Sequence, residues 1–363
     1  AGPFRQICPD PALPAITAGE FHRRMRARTA SPYAMIATAT HDTKRGEDAR
    51  ARILAIAELA DDWSAAVQRW RTLNEPLARR SIGRIPTTAH EYMIYQALIG
   101  AWPVDGPDAG FVERMQAYAI KALREGKQES SWHNPDEAYE NGTTAFIAKL
   151  LDRESSATFL QDFEQFERRT RLIGALNSLS QLLLKGTIPG VPDFYQGTEY
   201  WDLSLVDPDN RRPVDFPARQ AALDALPANP DWSELASQYS NGLIKLALTR
   251  RILALRSEMR ELFTGGNYEP IEVEGPQARH VIAFARTLRR DAIIVVATRS
   301  FAPLTDGGRQ WNQSVSIDAA LKLDGYTVSE NYLGRGALPP ARGPINVSAV
   351  FGALPIALMR AIR

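Results

Sequence analysis

His41 and Asp42 stand side by side at the end of a short apolar, β-branched run, residues 34–40, and they open a polar cluster that continues through Thr43, Lys44, Arg45, Gly46, Glu47 and Asp48. A carboxylate beside an imidazole can grip two adjacent hydroxyls of a sugar, and it can stabilise positive charge developing at an anomeric carbon. A plain structural account competes with that one, in which Asp42 caps a helix and His41 is a satisfied polar residue. Lys44 and Arg45 divide in the same way, between ligand contacts and a solvated helix start. A second polar exit follows the turn at Pro189-Gly190, where Tyr195, Gln196 and Glu199 either line a cleft or merely end a strand. Trp201 stacks on a ligand face or packs on a neighbouring loop. Arg211 and Arg212 bind hydroxyls or pair with Asp207, Asp209 and Asp215.

The elements that position these residues show in the periodicity. A buried strand emptying into polar residues at its C-terminal end is how α/β barrels build sites. Ile53, Ile56, Ala60, Trp63, Val67 and Trp70 recur at three- and four-residue steps, which predicts one helix face with Asp48 as its N-cap. That face makes Trp63 and Trp70 core residues. Helical patterns also cover 111–124, 155–184 and 243–257, with breaks near Pro86, at 103–107 and at Asn134-Pro135. Beyond Gly265-Gly266 the texture predicts strands at 280–288, 292–299, 311–318 and 345–351. Residues 1–19, rich in Pro, Gly and Ala, read as a linker.

Composition narrows the function classes. The 363 residues are 44% hydrophobic and 23% charged, which is ordinary for a globular chain. With 43 basic and 42 acidic residues, nothing favours nucleic acid or an anionic membrane as partner. One cysteine, Cys8, permits no intrachain disulfide, which fits a cytoplasmic protein. No apolar run predicts a bilayer span or a signal peptide. His22, His41, His90, His133 and His280 show no metal-ligand spacing, so neither a metal nor another cofactor is expected.

Read together, these segments carry a family resemblance. Residues 37–48 closely resemble the fourth signature region of the maltooligosyltrehalose synthases of the α-amylase superfamily, and residues 190–199 look like their eighth-strand motif. Residues 201–215 are similar to the loop that follows. Tyr95-Gln96, residues 100–103, Ser131-Trp132 and Tyr139-Glu140 resemble markers of their helical insertion. The matches run in order over roughly residues 20–300.

The resemblance implies an α/β fold: the last strands of a (β/α)8 barrel with a large helical insertion, then a small all-β sandwich. The expected divisions are a linker or truncated end at 1–33, barrel strand seven and its polar exit at 34–48, and the insertion with a barrel helix at 49–184. Strand eight, its loop and a closing helix take 185–264, and a β domain takes 265–363. The implied reaction is intramolecular transglucosylation, turning the reducing-end α-1,4 linkage of a maltooligosaccharide into α,α-1,1. Asp42 matches the acid that stabilises the transition state. His41 matches a histidine that holds hydroxyls of the reacting sugar. Lys44, Arg45, Tyr195, Gln196, Glu199, Trp201 and Arg211 become candidate contacts to the α-1,4-glucan. No segment resembles the nucleophile or acid/base regions, and Arg289-Arg290-Asp291 falls in the β-rich part. The isolated chain is therefore expected to be inactive. It reads as a portion that needs a partner chain with the N-terminal strands, or as a non-catalytic glucan-binding remnant.

Overall fold

Asp108, Asp136, Asp215 and Asp231 each turn a side-chain oxygen back onto a backbone N–H, and each thereby fixes the start of a helix. Thr17 and Thr87 do the same with their hydroxyls. The computed structural model describes residues 15–79, 83–311, 316–334 and 343–363. In chain order these form α1 (Ala18–Arg28), β1 (Met35–Ala37), α2 (Glu47–Glu58), α3 (Ala60–Ala78), α4 (Thr88–Ala101), α5 (Ala109–Gly126), α6 (Glu137–Leu150), α7 (Ala157–Thr187) and β2 (Val191–Asp193). Then come α8 (Phe216–Ala225), α9 (Trp232–Ser237), α10 (Leu243–Glu258), α11 (Arg260–Gly265), β3 (Asn267–Pro270), β4 (Val273–Glu274), β5 (Val281–Leu288) and β6 (Asp291–Thr298). The last elements are β7 (Ala320–Leu321), β8 (Thr327–Asn331), β9 (Ile345–Asn346), α12 (Val347–Val350) and β10 (Ile356–Ile362).

The chain divides into two compact units. One comprises His41–Gly174 and Leu203–Arg212 among the described residues. Its core is aromatic. Trp70 meets Tyr95, Phe159, Phe163 and Phe166 with ring centroids 5.2–5.9 Å apart, and Trp102 lies 4.7 Å from Phe163. The indole N–H of Trp70 donates to Asp162 at 2.6 Å, so the ring is buried without an orphaned donor. α2 threads this core where glycines let it in. A Cβ on Gly100 would meet Ile53 at 2.9 Å, and one on Gly174 would meet the Arg52 Cα at 2.9 Å. The start of α2 is therefore buried even though it is charged. Arg52 pairs with the fully buried Glu167 at 3.1 Å and donates to the Trp102 carbonyl at 2.7 Å.

The other unit comprises 15–40, Ala175–Asp202 and Pro213–Arg363 among the described residues. A five-stranded antiparallel sheet runs in the order β3-β5-β6-β10-β8, and a three-stranded one in the order β4-β7-β9. Both faces of the larger sheet are apolar. Ile282, Phe284, Ile293 and Val295 join the core formed with α10 and α11, while Ala283, Ala285, Ile294 and Val296 join Leu321, Val347 and Val350. Arg286 points into the first of these cores. Its guanidinium donates to the carbonyls of Thr187, Leu262, Phe263, Gly266 and Asn267, gathered around the C-terminal ends of α7 and α11. Desolvation, and then the charge of Arg256, push Arg286 down to about 10.

The structure departs from the sequence expectations at several points. The helix expected over 53–70 is two helices, α2 and α3, broken at Leu59. Asp48 lies inside the first turn of α2 and Gly46 takes the cap position, so the acid opposes the helix dipole charge instead of capping. Within 1–33, residues 18–28 form α1, whose Phe21 and Met25 pack on the core of the second unit. The expected strand at 345–351 is β9 followed by α12. The strand expected at 311–318 lies partly outside the described residues, and 316–318 are not strand. β1 and β2 pair in parallel as a two-stranded sheet, yet β1 is not buried: Met35 is 68% exposed and stands opposite Val191, which is also exposed.

The Arg52–Glu167 pair generates a stability prediction. Arg52→Leu keeps the volume apolar but leaves Glu167 with one cation fewer and the Trp102 carbonyl without its donor. Because Arg171 still pairs with Glu167 at 2.6 Å, a loss of about 1–3 kcal/mol is expected, read as a lower urea midpoint at unchanged slope.

Candidate functional site

The polar cluster after β1 is held by a loop that returns from far along the sequence. Asp209 is the anchor. It accepts from two guanidinium nitrogens of Arg114 on α5 at 2.6 and 2.9 Å and from the backbone N–H of Leu205 at 2.8 Å. Burial would raise its pKa, but those hydrogen bonds and the charges of Arg114 and Arg212 outweigh it and hold the carboxyl below the usual range. Lys121, seven residues on along α5, pairs with Asp207 at 2.7 Å and lowers its pKa in turn. The Gly46 N–H donates to the Ser204 carbonyl at 2.9 Å, and Asn210 donates to the His41 carbonyl at 3.0 Å. The loop 203–212 and the segment 41–46 are thus tied together, backbone to backbone and side chain to backbone.

At the open end of this lattice lies the expected pair. His41 Nε2 is 3.2 Å from Asp42 Oδ2, with side chains 63% and 76% exposed. The Arg211 guanidinium approaches the other Asp42 oxygen at 3.8 Å and Asp207 at 3.9 Å. Lys44 points to Glu125 on α5 at 3.4 Å. The structure therefore brings His41, Asp42 and Arg211 together on an accessible surface. An acceptor-only carboxylate flanked by an imidazole and a guanidinium offers complementary donors and acceptors to vicinal hydroxyls.

Arg45 does not join them. It is buried, donates to the Tyr118 hydroxyl at 2.8 Å, lies over that ring at 5.4 Å, and accepts at its carbonyl from Arg50. Its place supports the base of α2 and not an open cleft.

The remaining candidates belong to the other compact unit. Glu199 pairs with Arg219 at 3.0 Å, and that guanidinium lies over the Tyr200 ring at 5.2 Å. Gln196 is exposed, and the Tyr195 carbonyl accepts from the N–H and hydroxyl of Thr198. Trp201 donates its indole N–H to the Tyr239 carbonyl at 2.8 Å and packs on the core, which leaves the indole a structural neighbour as well as a surface. Beneath it the buried Lys245 donates to the Tyr200 carbonyl at 3.2 Å.

The chain is similar to known proteins. No family model matches the chain. A protein of Mycobacterium tuberculosis (strain CDC 1551 / Oshkosh) named as a maltooligosyl trehalose synthase is 36% identical over 320 residues, 86% of this chain and 37% of its own length. The solved maltooligosyltrehalose synthase from Arthrobacter ramosus superposes with a TM-score of 0.75 at 34% identity, covering 97% of this chain and 42% of that one. A second crystal structure of a maltooligosyl trehalose synthase gives 0.75 at 29% identity, covering 95% of this chain and 42% of that one. The chain is homologous to a C-terminal portion of the maltooligosyltrehalose synthases. It spans less than half the length of the synthases it matches.

Among the described residues, no group of three His, Cys, Asp or Glu side chains is placed to hold a metal ion. No helix among them is long and apolar enough to cross a membrane. Sequence reasoning missed the anchors Arg114, Lys121 and Asn210. Arg114 and Lys121 stand seven residues apart, on one face of α5, which is the signal that could have found them.

The low pKa of Asp209 has a pH consequence. Its folded value lies below the reference 3.8, so the stability it contributes is complete above that value and is lost as pH falls through the folded one. Asp209→Asn should destabilise the chain by about 1–3 kcal/mol at neutral pH. It should also flatten the acid limb of a plot of unfolding free energy against pH. An acid limb as steep as the wild type would show that Asp209 is not the anchor.

Proposed function

We propose that this chain supplies one wall of the glucan site of a maltooligosyltrehalose synthase, in which a reducing-end α-1,4 linkage is converted to α,α-1,1. The observation that carries the reading is the accessible His41–Asp42 pair, facing Arg211, in a chain homologous to those synthases. In this reading Asp42 stabilises an oxocarbenium-like transition state, and His41 and Arg211 hold its neighbouring hydroxyls. Lys44 meets the reducing-end glucose, and Tyr195, Gln196, Glu199 and Trp201 are candidate glucan contacts of the other unit. The carboxylate nucleophile and the acid/base group come from a different stretch of protein, in the same polypeptide or a partner chain. β1 and β2 are then the last strands of a (β/α)8 barrel, α2 to α6 and much of α7 the helical insertion, and 265–363 a β sandwich. The exposed Met35 and Val191 agree with that assignment, because parallel strands are normally covered on both faces.

The test is the Asp42 series in the active enzyme that contains this chain. Charge stabilisation that grows toward the transition state affects kcat more than KM. Asp42→Asn keeps the shape and removes the charge, so kcat on maltopentaose should fall about 10²–10³-fold. His41→Ala should lose less, because the carboxylate stays in place. The 363-residue chain by itself is expected to form no non-reducing product. An Asp42→Asn enzyme with near-normal kcat and unchanged Tm would sink the assignment.

A further inference from the structure

Trp132 is 55% exposed, at the centre of a loop whose other members are mostly polar, between α5 and α6. A large indole presented to water needs a reason. The loop around it is braced. Lys127 closes α5 in the left-handed conformation, and its N–H donates to the Leu123 carbonyl. The Ser131 N–H donates to the Asn134 carbonyl at 3.2 Å, and the Asn134 N–H donates to the Ser131 hydroxyl at 3.0 Å. Below the ring, Arg124 sets its guanidinium 5.1 Å from the indole centroid. That guanidinium is itself fixed by two 2.8 Å hydrogen bonds to Glu140, a buried carboxylate that also accepts from the buried Ser130 hydroxyl. The indole is thus backed by a guanidinium locked to a buried acid, and more than half its surface stays open.

α5 links the ring to the cluster described above. Arg124, which carries the indole, is followed on α5 by Glu125, which pairs with Lys44 at 3.4 Å. Lys121, one turn earlier, holds Asp207. One helix end therefore connects the His41–Asp42–Arg211 surface to the indole within a single unit. Flanking Ser131, His133 and Asn134 supply groups that hydrogen-bond hydroxyls.

We infer that Trp132 is a stacking platform for a glucosyl unit, extending the glucan surface beyond Asp42 across the C-terminal end of α5. A sugar ring has an apolar C–H face and a rim of hydroxyls. A rigid exposed indole with polar neighbours matches both, and a fixed ring loses little entropy on binding. The inference rests on the glucan reading of the Asp42 site.

Its test separates the two readings. Affinity electrophoresis of the 363-residue chain in gels with and without amylopectin is run for the wild type, Trp132→Ala and Trp132→Phe, alongside their Tm values. The wild type should be retarded. Trp132→Ala should bind about tenfold more weakly at unchanged Tm, and Trp132→Phe should keep most of the retardation. A competing maltoheptaose should release the wild type at lower concentration than it releases Trp132→Ala. Equal retardation of wild type and Trp132→Ala overturns the inference and leaves the Asp42 reading intact. So does equal weakness of Ala and Phe variants with a lowered Tm, which would make Trp132 a packing contact. A wild type that amylopectin does not retard overturns the inference too, while transglucosylation is judged separately by the kcat of Asp42→Asn.

Discussion

The constraint on which the first unit depends is the burial of charge at the start of α2. Arg45, Glu47, Asp48, Arg50 and Arg52 are all buried, so a segment that begins three residues after Asp42 carries ionised groups inward. Burying a charge is costly unless it is paired and hydrogen-bonded, and a misplaced partner leaves the full penalty. The partners are therefore what fix the register of the helix. Arg52 reaches both Glu167 and the Trp102 carbonyl, and Arg45 reaches Tyr118. Gly100 and Gly174 let neighbouring helices approach closely enough for those contacts to form. A slide of α2 by one residue would cost several of these interactions at once. His41 and Asp42, just before the helix, inherit that fixed position although they are themselves exposed.

Magnitudes then separate anchors from loosely held, accessible groups. Asp209 is largely buried and bidentate to Arg114 at 2.6 and 2.9 Å, the geometry in which an ion pair is strong. Asp42 and Arg211 are exposed and 3.8 Å apart, where screening leaves a pair worth about 0–1 kcal/mol. The loose pair costs little to open. Opening it does not dismantle the loop, because the loop is held by Asp209, Asp207 and Asn210 instead. Arg45 fails the same comparison: what it would gain from a ligand, the fold would lose at Tyr118.

How much of this was legible in the sequence depended on whether the signal was local. The 3.6-residue period disclosed α5, α7 and α10 to within a few residues, and the paired apolar runs disclosed β5 and β6. The His41–Asp42 pair was legible because it sits where an apolar run meets a polar one. The break at Leu59 was not, since apolar spacing continues across it and only backbone geometry changes. β10 was missed because Ile356–Ile362 is apolar at nearly every position, and both of its faces are buried, so it lacks alternation. α1 was hidden by a stretch rich in arginine, whose aliphatic stems and few apolar residues suffice for a partly buried helix. Buried Arg45 was misassigned because arginine is ordinarily a surface residue, and its tyrosine partner lies 73 positions away.

The same distinction between local and distant determinants explains how a chain with almost no net charge can build a polar site. Formal charge is +1, so net charge supplies no long-range attraction. Selectivity has to come from short-range geometry, and geometry requires that each contacting group be immobilised by another that does not touch the ligand. Under the proposed glucan reading, Asn210 does this for His41 through the backbone carbonyl, and Glu140 does it for Trp132 through Arg124. In both places the exposed residue is the last member of a chain of contacts that begins with a buried polar side chain. Neutral, hydroxyl-rich ligands reward that arrangement, because each hydrogen bond to them is weak and directional and gains only when its partner is already in place.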